Sequence, residues 1–303
     1  MDGFLSWLNS YTGALTIGSI AGFLMRVRML RTDYRQYPTY LHGKIIHLSI
    51  GFIAAGIGAV AVPALLEKEY TAITFLALAA QQFREVRKME RETLSKLDES
   101  ELVPRGASYI EGIAMVFEGR NYLVIISAFL TSLATVAGNS WVGLGVGVAL
   151  FIVAGFLRLG KYLEEIADIS RGELRMEGPS LYVDDIYLMN IGLEENRQKI
   201  LKKGVGVIVS PKNQDSRITL SNIGQRQAIL YDVSVILGVF RDTGEPSLVP
   251  LSKRSLGDGR LGLLFLPEVR DPEKVLQIVR RVPVLESAIR MPTEEPKWKG
   301  KQG

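Results

Sequence analysis

Three aspartates stand where carboxylates could carry out hydrolytic chemistry. Asp242 opens an Asp-Thr-Gly run at 242–244, and Asp184 is followed directly by Asp185. Hydrolysis of a peptide bond by carboxylates needs two of them sharing one proton. A single Asp242 in each chain therefore requires a second copy of the chain, or a second carboxylate such as Asp184, Asp185 or Asp258. Asp242, Asp184 and Asp185 are the candidate catalytic residues.

The Asp-Thr-Gly run resembles the active-site loop of pepsin-like and retroviral aspartic proteases, where it also follows an apolar strand. This resemblance implies a membrane-anchored protease of the aspartic type with Asp242 in the active site. Glu245 and Pro246 depart from the small or hydroxyl residues usual after that motif. The alternative interpretation is an ordinary turn, because Asp, Thr and Gly are also preferred in loops after strands.

Asp184 and Asp185 interrupt a segment, 181–189, that is otherwise typical of a strand. Neighbouring residues of a strand point to opposite faces, so the two carboxylates make a poor shared metal site. We expect one of them to face solvent and the other to accept a hydrogen bond from a nearby amide.

A second group of polar residues directly precedes an apolar segment. It contains Tyr109, Glu111, Arg120 and Asn121. One interpretation is an interfacial helix, with Tyr109 at headgroup depth and Arg120 marking the inner edge of the membrane. The other is a docking or catalytic surface beside the membrane.

Further along the chain, Gln225 and Arg226 lie on a predicted helix, 218–232, where they cover a ligand pocket or form a solvated face. The candidate binding residues are Tyr109, Glu111, Arg120, Asn121, Gln225 and Arg226.

The hexapeptide Tyr-Ile-Glu-Gly-Ile-Ala at 109–114 resembles the signature of the YIEGIA family, and the residues at 117–118 and 120–123 are also similar to that family. The resemblance implies a sporulation-linked membrane protein of endospore-forming Firmicutes and covers most of the chain. The resemblance implies a cellular process for the protein, sporulation, but it does not imply a particular chemical reaction.

The composition excludes several classes of protein. The chain has 303 residues, no Cys and only two His, which excludes disulfides and thiol nucleophiles and leaves little for a zinc site. Its net charge of +4 is small for this length, so no nucleic-acid partner is expected. The run from Gly155 to Lys161 has phosphate-loop spacing but continues with Tyr162, which cannot replace the Ser or Thr that ligates magnesium. No cofactor and no metal are expected.

Apolar blocks dominate the first half of the chain and predict a transmembrane domain over 1–160. A helix needs about 20 apolar residues to cross a bilayer. The predicted spans are about 5–25, 45–66, 70–86, 122–138 and 141–158.

Basic residues orient these spans, because cytoplasmic loops are rich in Lys and Arg. The segments 26–35 and 84–96 are strongly basic, whereas 67–69 reads Glu-Lys-Glu. Five spans with the N-terminus outside and the C-terminal half in the cytosol satisfy every junction. The location predicted is the cell membrane, with the forespore membrane as one candidate.

The second half alternates predicted strands and helices. We predict a linker helix over 161–180, a cytosolic α+β domain over 181–291 and a disordered tail over 292–303. From Val205 onward the order is βαββαβ, typical of a ferredoxin-like fold. Its predicted segments are strand 205–209, helix 218–232, strand 233–240, loop 244–259, strand 261–266, a helix from 271 and strand 282–289.

The predicted fold is therefore an α-helical membrane bundle followed by an α+β domain. The predicted function is that of a polytopic membrane protein of sporulation or spore germination, with a cytosolic regulatory or interaction domain. The expected partners are the lipid bilayer and a protein, either another protein or a second copy of the chain. The alternative is the membrane-anchored aspartic-type protease that uses Asp242.

Overall fold

The computed structural model of the chain describes residues 2–33, 41–156, 160–240 and 249–289. The chain divides into two compact units. The helical unit comprises Met1–Glu92 and Ile113–Leu159, and the α+β unit comprises Thr93–Gly112 and Gly160–Gly303.

Among the described residues, five long helices occupy the first half of the chain. Three of them contain segments long and apolar enough to cross a membrane, and a fourth apolar segment, Ser140–Gly155, is shorter. The third helix is apolar in its first half and charged in its second, as the sequence predicts. The helices are α1 Asp2–Asp33, α2 Leu41–Leu66, α3 Tyr70–Asp98, α4 Ala107–Ala137 and α5 Ser140–Phe156. The three candidate spans are Ser10–Arg31, Gly43–Leu66 and Ala107–Ala137.

Small residues bring the helices of the helical unit into close contact. A Cβ atom placed on Gly18 would lie 2.9 Å from the carbonyl oxygen of Ala128, and one on Gly22 would lie 2.9 Å from the Ala128 Cβ. Glycines four residues apart therefore let α1 approach α4 closely. Such spacing is common where membrane helices pack together.

Over its described residues, the α+β unit contains two antiparallel sheets and five α-helices of its own, besides the end of α3 and the start of α4. The larger sheet has the strand order β1-β5-β7-β6, and the smaller has the order β2-β3-β4. The strands are β1 Ala167–Gly172, β2 Leu174–Glu177, β3 Ser180–Val183, β4 Ile186–Asn190, β5 Val205–Pro211, β6 Leu251–Arg254 and β7 Leu261–Phe265. The helices are α6 Leu163–Ile166, α7 Glu194–Lys203, α8 Gln214–Ser221, α9 Ile223–Leu237 and α10 Pro272–Arg281.

The two central strands of the larger sheet, β5 and β7, are buried on both faces. Ile208 and Leu264 pack with Leu181 and Val183 of the smaller sheet. Alternate residues of a strand point to opposite sides, so the buried Val205, Val207 and Val209 face the other way. Helices α8, α9 and α10 contact β1, β5, β6 and β7 and cover that second face. The continuous apolar runs of β5 and β7 follow from this two-sided burial.

Several sequence-predicted elements agree with the structure. Strands β5 and β7 lie where the pattern placed them. Helix α10 begins as predicted, with Asp271 as its N-cap, and the Asp271 carboxylate accepts a hydrogen bond of 3.0 Å from the Lys274 N–H.

The predicted βαββαβ order is wrong at two of its strands. Residues 233–237 continue α9 as helix, and residues 282–289 hold one isolated bridge and a short 3-10 turn, Glu286–Ala288. The edge of the larger sheet beside β5 is occupied by β1, a strand that the sequence did not predict. The predicted loop 244–259 also contains β6.

The predicted linker helix 161–180 is wrong as well, because only α6 is helical there and β1 and β2 follow it. The predicted strand 181–189 is a hairpin that turns at Asp184 and Asp185. Asp184 has φ of 51°, a left-handed conformation that Asp tolerates in turns. Asp242 and the tail 292–303 lie outside the described residues.

Candidate functional site

The segment 109–114 forms the first turns of α4. Asp98 precedes it and its carboxylate accepts hydrogen bonds from the backbone N–H groups of Arg105, at 2.7 Å, and Gly106, at 3.0 Å. Gly106 has φ of +82°, a conformation open to glycine, and its carbonyl accepts from the N–H groups of Tyr109 and Ile110. A capped turn therefore sets where α4 begins. The boundary between the two units falls after Gly112.

Within the helical unit, α4 contributes to a buried charged cluster that we call the arginine–aspartate cluster: Arg26, Asp33 and Arg120. The Arg26 Nη1 donates to one oxygen of Asp33 at 2.9 Å, and the Arg120 Nε donates to the other at 3.2 Å. The side chains of Arg26 and Asp33 are each 1% exposed. One carboxylate thus joins two arginines from α1 and α4 in the interior.

Neighbouring residues make room for the arginine–aspartate cluster. The guanidinium carbon of Arg26 lies 4.9 Å from the ring centre of Phe117, in a cation–π arrangement. A side chain on Gly51 of α2 would overlap the Arg26 side chain. The cluster therefore depends on a small residue from a helix that supplies none of its charges.

A second buried pair lies against the same phenylalanine. The Nε2 of His47 in α2 is 3.2 Å from a carboxylate oxygen of Glu90 in α3, and both side chains are buried. The His47 ring centre is 4.3 Å from that of Phe117. Phe117 thus contacts side chains of both polar groups, which together involve α1, α2, α3 and α4.

Asn121 follows Arg120 on α4 and is fully buried. Its amide nitrogen and oxygen have no hydrogen-bond partner among the residues that the structure describes. Buried polar atoms nearly always have a partner, so this side chain is an exception. Glu111, in contrast, is half-buried.

In the α+β unit, Tyr109 is buried against α9. Its N–H donates to the Gln227 side-chain oxygen at 3.2 Å, and its ring meets Tyr231 edge to face at 6.3 Å. Arg105 stacks on the Tyr231 ring at 4.1 Å and donates to the Tyr231 hydroxyl, which in turn donates to Glu101 at 3.1 Å. Burial, together with the charge of Glu101, raises the pKa of Tyr231 to about 12, although Arg105 opposes the shift.

Asp232 is the neighbour of Tyr231 on α9. Burial raises the pKa of its carboxyl group to about 7, and the positive charge of Arg105 only partly offsets this. A carboxyl group that titrates near neutrality exchanges a proton under physiological conditions. Asp232 lies on the same helix as Gln225 and Arg226.

Gln225 is completely buried and joins two backbone groups. Its Nε2 donates to the carbonyl oxygen of Pro283 at 3.2 Å, and its Oε1 accepts from the N–H of Leu285 at 2.7 Å. Arg226 donates to the Ser221 carbonyl oxygen at 3.3 Å, and burial and the nearby charge of Arg254 lower its pKa. Gln225 therefore holds the chain after α10 in place.

Asp184 and Asp185 make contacts at the surface of the protein. Asp184 accepts from the Glu173 N–H at 2.6 Å, and Asp185 pairs with Arg260 at 2.7 Å. Hydrogen bonding to Arg260 lowers the pKa of Asp185. Burial acts to raise the pKa of Asp258, but hydrogen bonds from Ser255 and Arg260 outweigh it and set the pKa at about 2. Asp185 and Asp258 thus stay ionised, unlike a pair of carboxylates that shares one proton.

Asp184 also lines a cavity of about 470 Å³ in the α+β unit, together with Arg171, Arg270 and the glycines of β1 and β5. This size is within the range of small-molecule pockets. Among the described residues, no group of three His, Asp or Glu side chains could hold a metal ion.

Sequence reasoning treated Arg26 as a topology signal and did not select Asp33, Glu90 or Phe117. One signal was available: residues seven apart on a helix share a face, and Asp33 follows Arg26 at that spacing. The partners on other helices carried no such signal.

Comparison with known proteins identifies the chain's relatives. The family model described as YIEGIA protein matches residues 14–295. The uncharacterized protein YphB of Bacillus subtilis (strain 168) is 54% identical over 287 residues, which cover 95% of this chain and 97% of that protein. No solved structure matches. The chain therefore belongs to the YIEGIA family.

Proposed function

We propose that this protein is a five-span membrane protein of endospore-forming bacteria. Its N-terminus lies outside, and its cytosolic α+β unit regulates sporulation by binding a protein partner. Three candidate spans and the apolar α5 support membrane insertion. The apolar first half of α3 supplies the remaining span, and the basic segments 26–35 and 84–96 orient the protein. Family membership and the Bacillus subtilis relative support the sporulation setting.

The observation that favours regulation over catalysis is the burial of the family signature. Tyr109 is 2% exposed and packs on α9. Arg120 and Asn121 are buried in the helical unit. Groups that act on a substrate must reach it, whereas Tyr109 and Arg120 make buried contacts that hold helices in place. Asp185 and Asp258 also stay ionised and make no proton-sharing pair.

The topology has a direct test, because the chain contains no Cys. Glu69→Cys, between α2 and α3, and Asp168→Cys, on β1, each introduce one thiol at an exposed position. On intact cells an impermeant maleimide should label Glu69→Cys at once and Asp168→Cys only after permeabilisation. Labelling of Asp168→Cys in intact cells would contradict the proposed orientation.

The regulatory function is tested by counting heat-resistant spores in strains that carry chromosomal variants. Asp33→Asn should reduce the count strongly, whereas Asp242→Asn and Asp242→Ala should leave it at the wild-type level. A loss of spores in the Asp242 variants, at normal protein abundance, would instead support the aspartic-type protease.

A further inference from the structure

A groove with an apolar body and a basic end lies between α1 and α5 of the helical unit. Its body is a cavity of about 260 Å³. A second cavity of about 490 Å³ shares Leu24 and Phe151 with the first and adds Arg28 and Arg31. The apolar lining includes Ile17, Ile20, Leu24, Leu144, Val148 and Phe151.

The groove matches the depth of one lipid leaflet. From Ile17 to Arg28, α1 rises by about 16 Å at the usual rise per residue. The hydrocarbon core of a bilayer is about 30 Å thick, so one leaflet contributes about half of that. An acyl chain that lies along the groove therefore ends at the level of the two arginines.

The basic end of the groove is held in position. The Arg28 Nη1 donates to the Phe151 carbonyl oxygen at 2.7 Å, and its guanidinium carbon lies 4.3 Å from the Phe151 ring centre. A side chain on Gly155 would overlap this guanidinium. Because Arg28 is already fixed, an anion that meets it there gains binding energy at a low entropic cost. Arg31 is exposed one turn further along α1.

We propose that this groove binds one anionic phospholipid of the inner leaflet. Its acyl chain lies between α1 and α5, and its phosphate contacts Arg28 and Arg31. Two arginines select a net negative headgroup over a zwitterionic one. The long apolar body selects a lipid over a free phosphate. This inference rests on the proposed function, since it requires α1 and α5 to span the membrane.

The test uses the full chain reconstituted in phosphatidylcholine vesicles that contain a trace of spin-labelled phosphatidylglycerol or spin-labelled phosphatidylcholine. The motionally restricted fraction of each label reports lipid held by the protein. The wild type should prefer phosphatidylglycerol, and Arg31→Gln should lower that preference about fivefold. Val148→Trp, which fills the groove, should lower the bound phosphatidylglycerol to the phosphatidylcholine level.

Matched controls make the same kinds of substitution, Arg to Gln and Val to Trp, at positions outside the groove. Arg91→Gln removes one charge from an exposed position on α3, and Val153→Trp adds an indole on α5 outside the groove. Both should keep the wild-type preference. Equal restriction of the two lipids by the wild type would overturn the lipid site while leaving the spans intact. An absence of any restricted lipid would overturn the spans as well.

A competition with soluble glycerol phosphate separates a lipid site from a site for a free anion. Glycerol phosphate should compete poorly with spin-labelled phosphatidylglycerol, because it lacks the acyl chain. Direct binding of glycerol phosphate that requires Arg28 and Arg31 but is unchanged in Val148→Trp would overturn the lipid assignment.

Discussion

The helical unit and the α+β unit both bury polar side chains, but they provide different partners for them. In the helical unit, Asp33 joins Arg26 and Arg120, and His47 lies beside Glu90. In the α+β unit, Gln225 and Asp98 bond to backbone groups, in addition to the side-chain contacts that Arg105 makes with Asp98 and Tyr231.

The difference follows from how each unit uses its backbone. Within long helices the backbone N–H and C=O groups already bond to one another, so a buried charge needs another side chain as its partner. Asp33 finds one such partner on its own helix, Arg26, and a second on α4, Arg120. The α+β unit has turns and helix ends whose backbone groups still need partners. Side chains such as Asp98 supply those partners. Loss of one polar side chain should therefore be more damaging in the helical unit.

The largest effect is expected for Asp33→Asn, which removes the carboxylate that accepts hydrogen bonds from two buried arginines. Breaking a buried charge pair in this way costs about 3–5 kcal/mol. The melting temperature of the detergent-solubilised protein should fall accordingly. Glu69→Gln, an exposed carboxylate of the same unit, should change the free energy of unfolding by less than about 0.5 kcal/mol. Similar melting temperatures for the two variants would refute the comparison.

A smaller loss is expected for Gln225→Ala. It leaves the Leu285 N–H and the Pro283 carbonyl without their partner, at a cost of about 1–3 kcal/mol. Hydrogen exchange should accelerate in the segment after α10. Gln214→Ala, at the exposed start of α8, is the matched control and should leave that exchange unchanged.

Asp232 should make the α+β unit less stable as the pH rises. Its pKa is about 7 in the folded protein, against 3.8 for an unperturbed Asp. Between these values the folded state holds a proton that the unfolded state has lost, so the free energy of unfolding falls with increasing pH. A decrease of about 1–3 kcal/mol from pH 4 to pH 8 is expected. The charged and titratable groups around Asp232 are Arg105, Tyr109 and Tyr231.

Hydrogen exchange of α9 at several pH values measures this dependence. The Asp232→Asn variant cannot ionise at this position and should lose that part of the pH dependence. If hydrogen exchange of α9 depended on pH equally in the wild type and in Asp232→Asn, a group other than Asp232 would carry the proton that stabilises the folded state.

The smallest effect is expected for Asp185→Asn. Asp185 is exposed and its pair with Arg260 is screened by water, and exposed ion pairs contribute little to stability. The melting temperature of the Asp185→Asn variant, and the spore count of the strain that carries it, should equal the wild-type values. A loss of spores at an unchanged melting temperature would revive Asp185 as a functional residue.

Local signals made parts of both units predictable. Long apolar runs indicate helices, and β-branched runs such as 205–209 indicate buried strands. The signature at 109–114 indicates the family. Segment 233–240 shows the limit of such signals, because a short apolar run fits a strand or a buried helix equally well. In the structure residues 233–237 belong to helix α9, which contacts β6 and β7.

The site was less predictable, because its contacts join residues far apart in the chain. The sequence predicts that Arg120 lies at a surface or at the membrane interface, but in the structure it is buried and its partner Asp33 lies 87 positions away. Asp184 and Asp185 looked like a strand pair, and only the hairpin shows that they form a turn.

The sequence by itself determined the family, the apolar helices and the separation of an apolar first half from a polar second half. These properties depend on composition and on short-range periodicity. Only the tertiary structure decided that β1 fills the edge of the larger sheet and that Arg26 and Arg120 share one carboxylate. Such pairings depend on which distant segments meet, and periodicity along a single chain does not encode that choice.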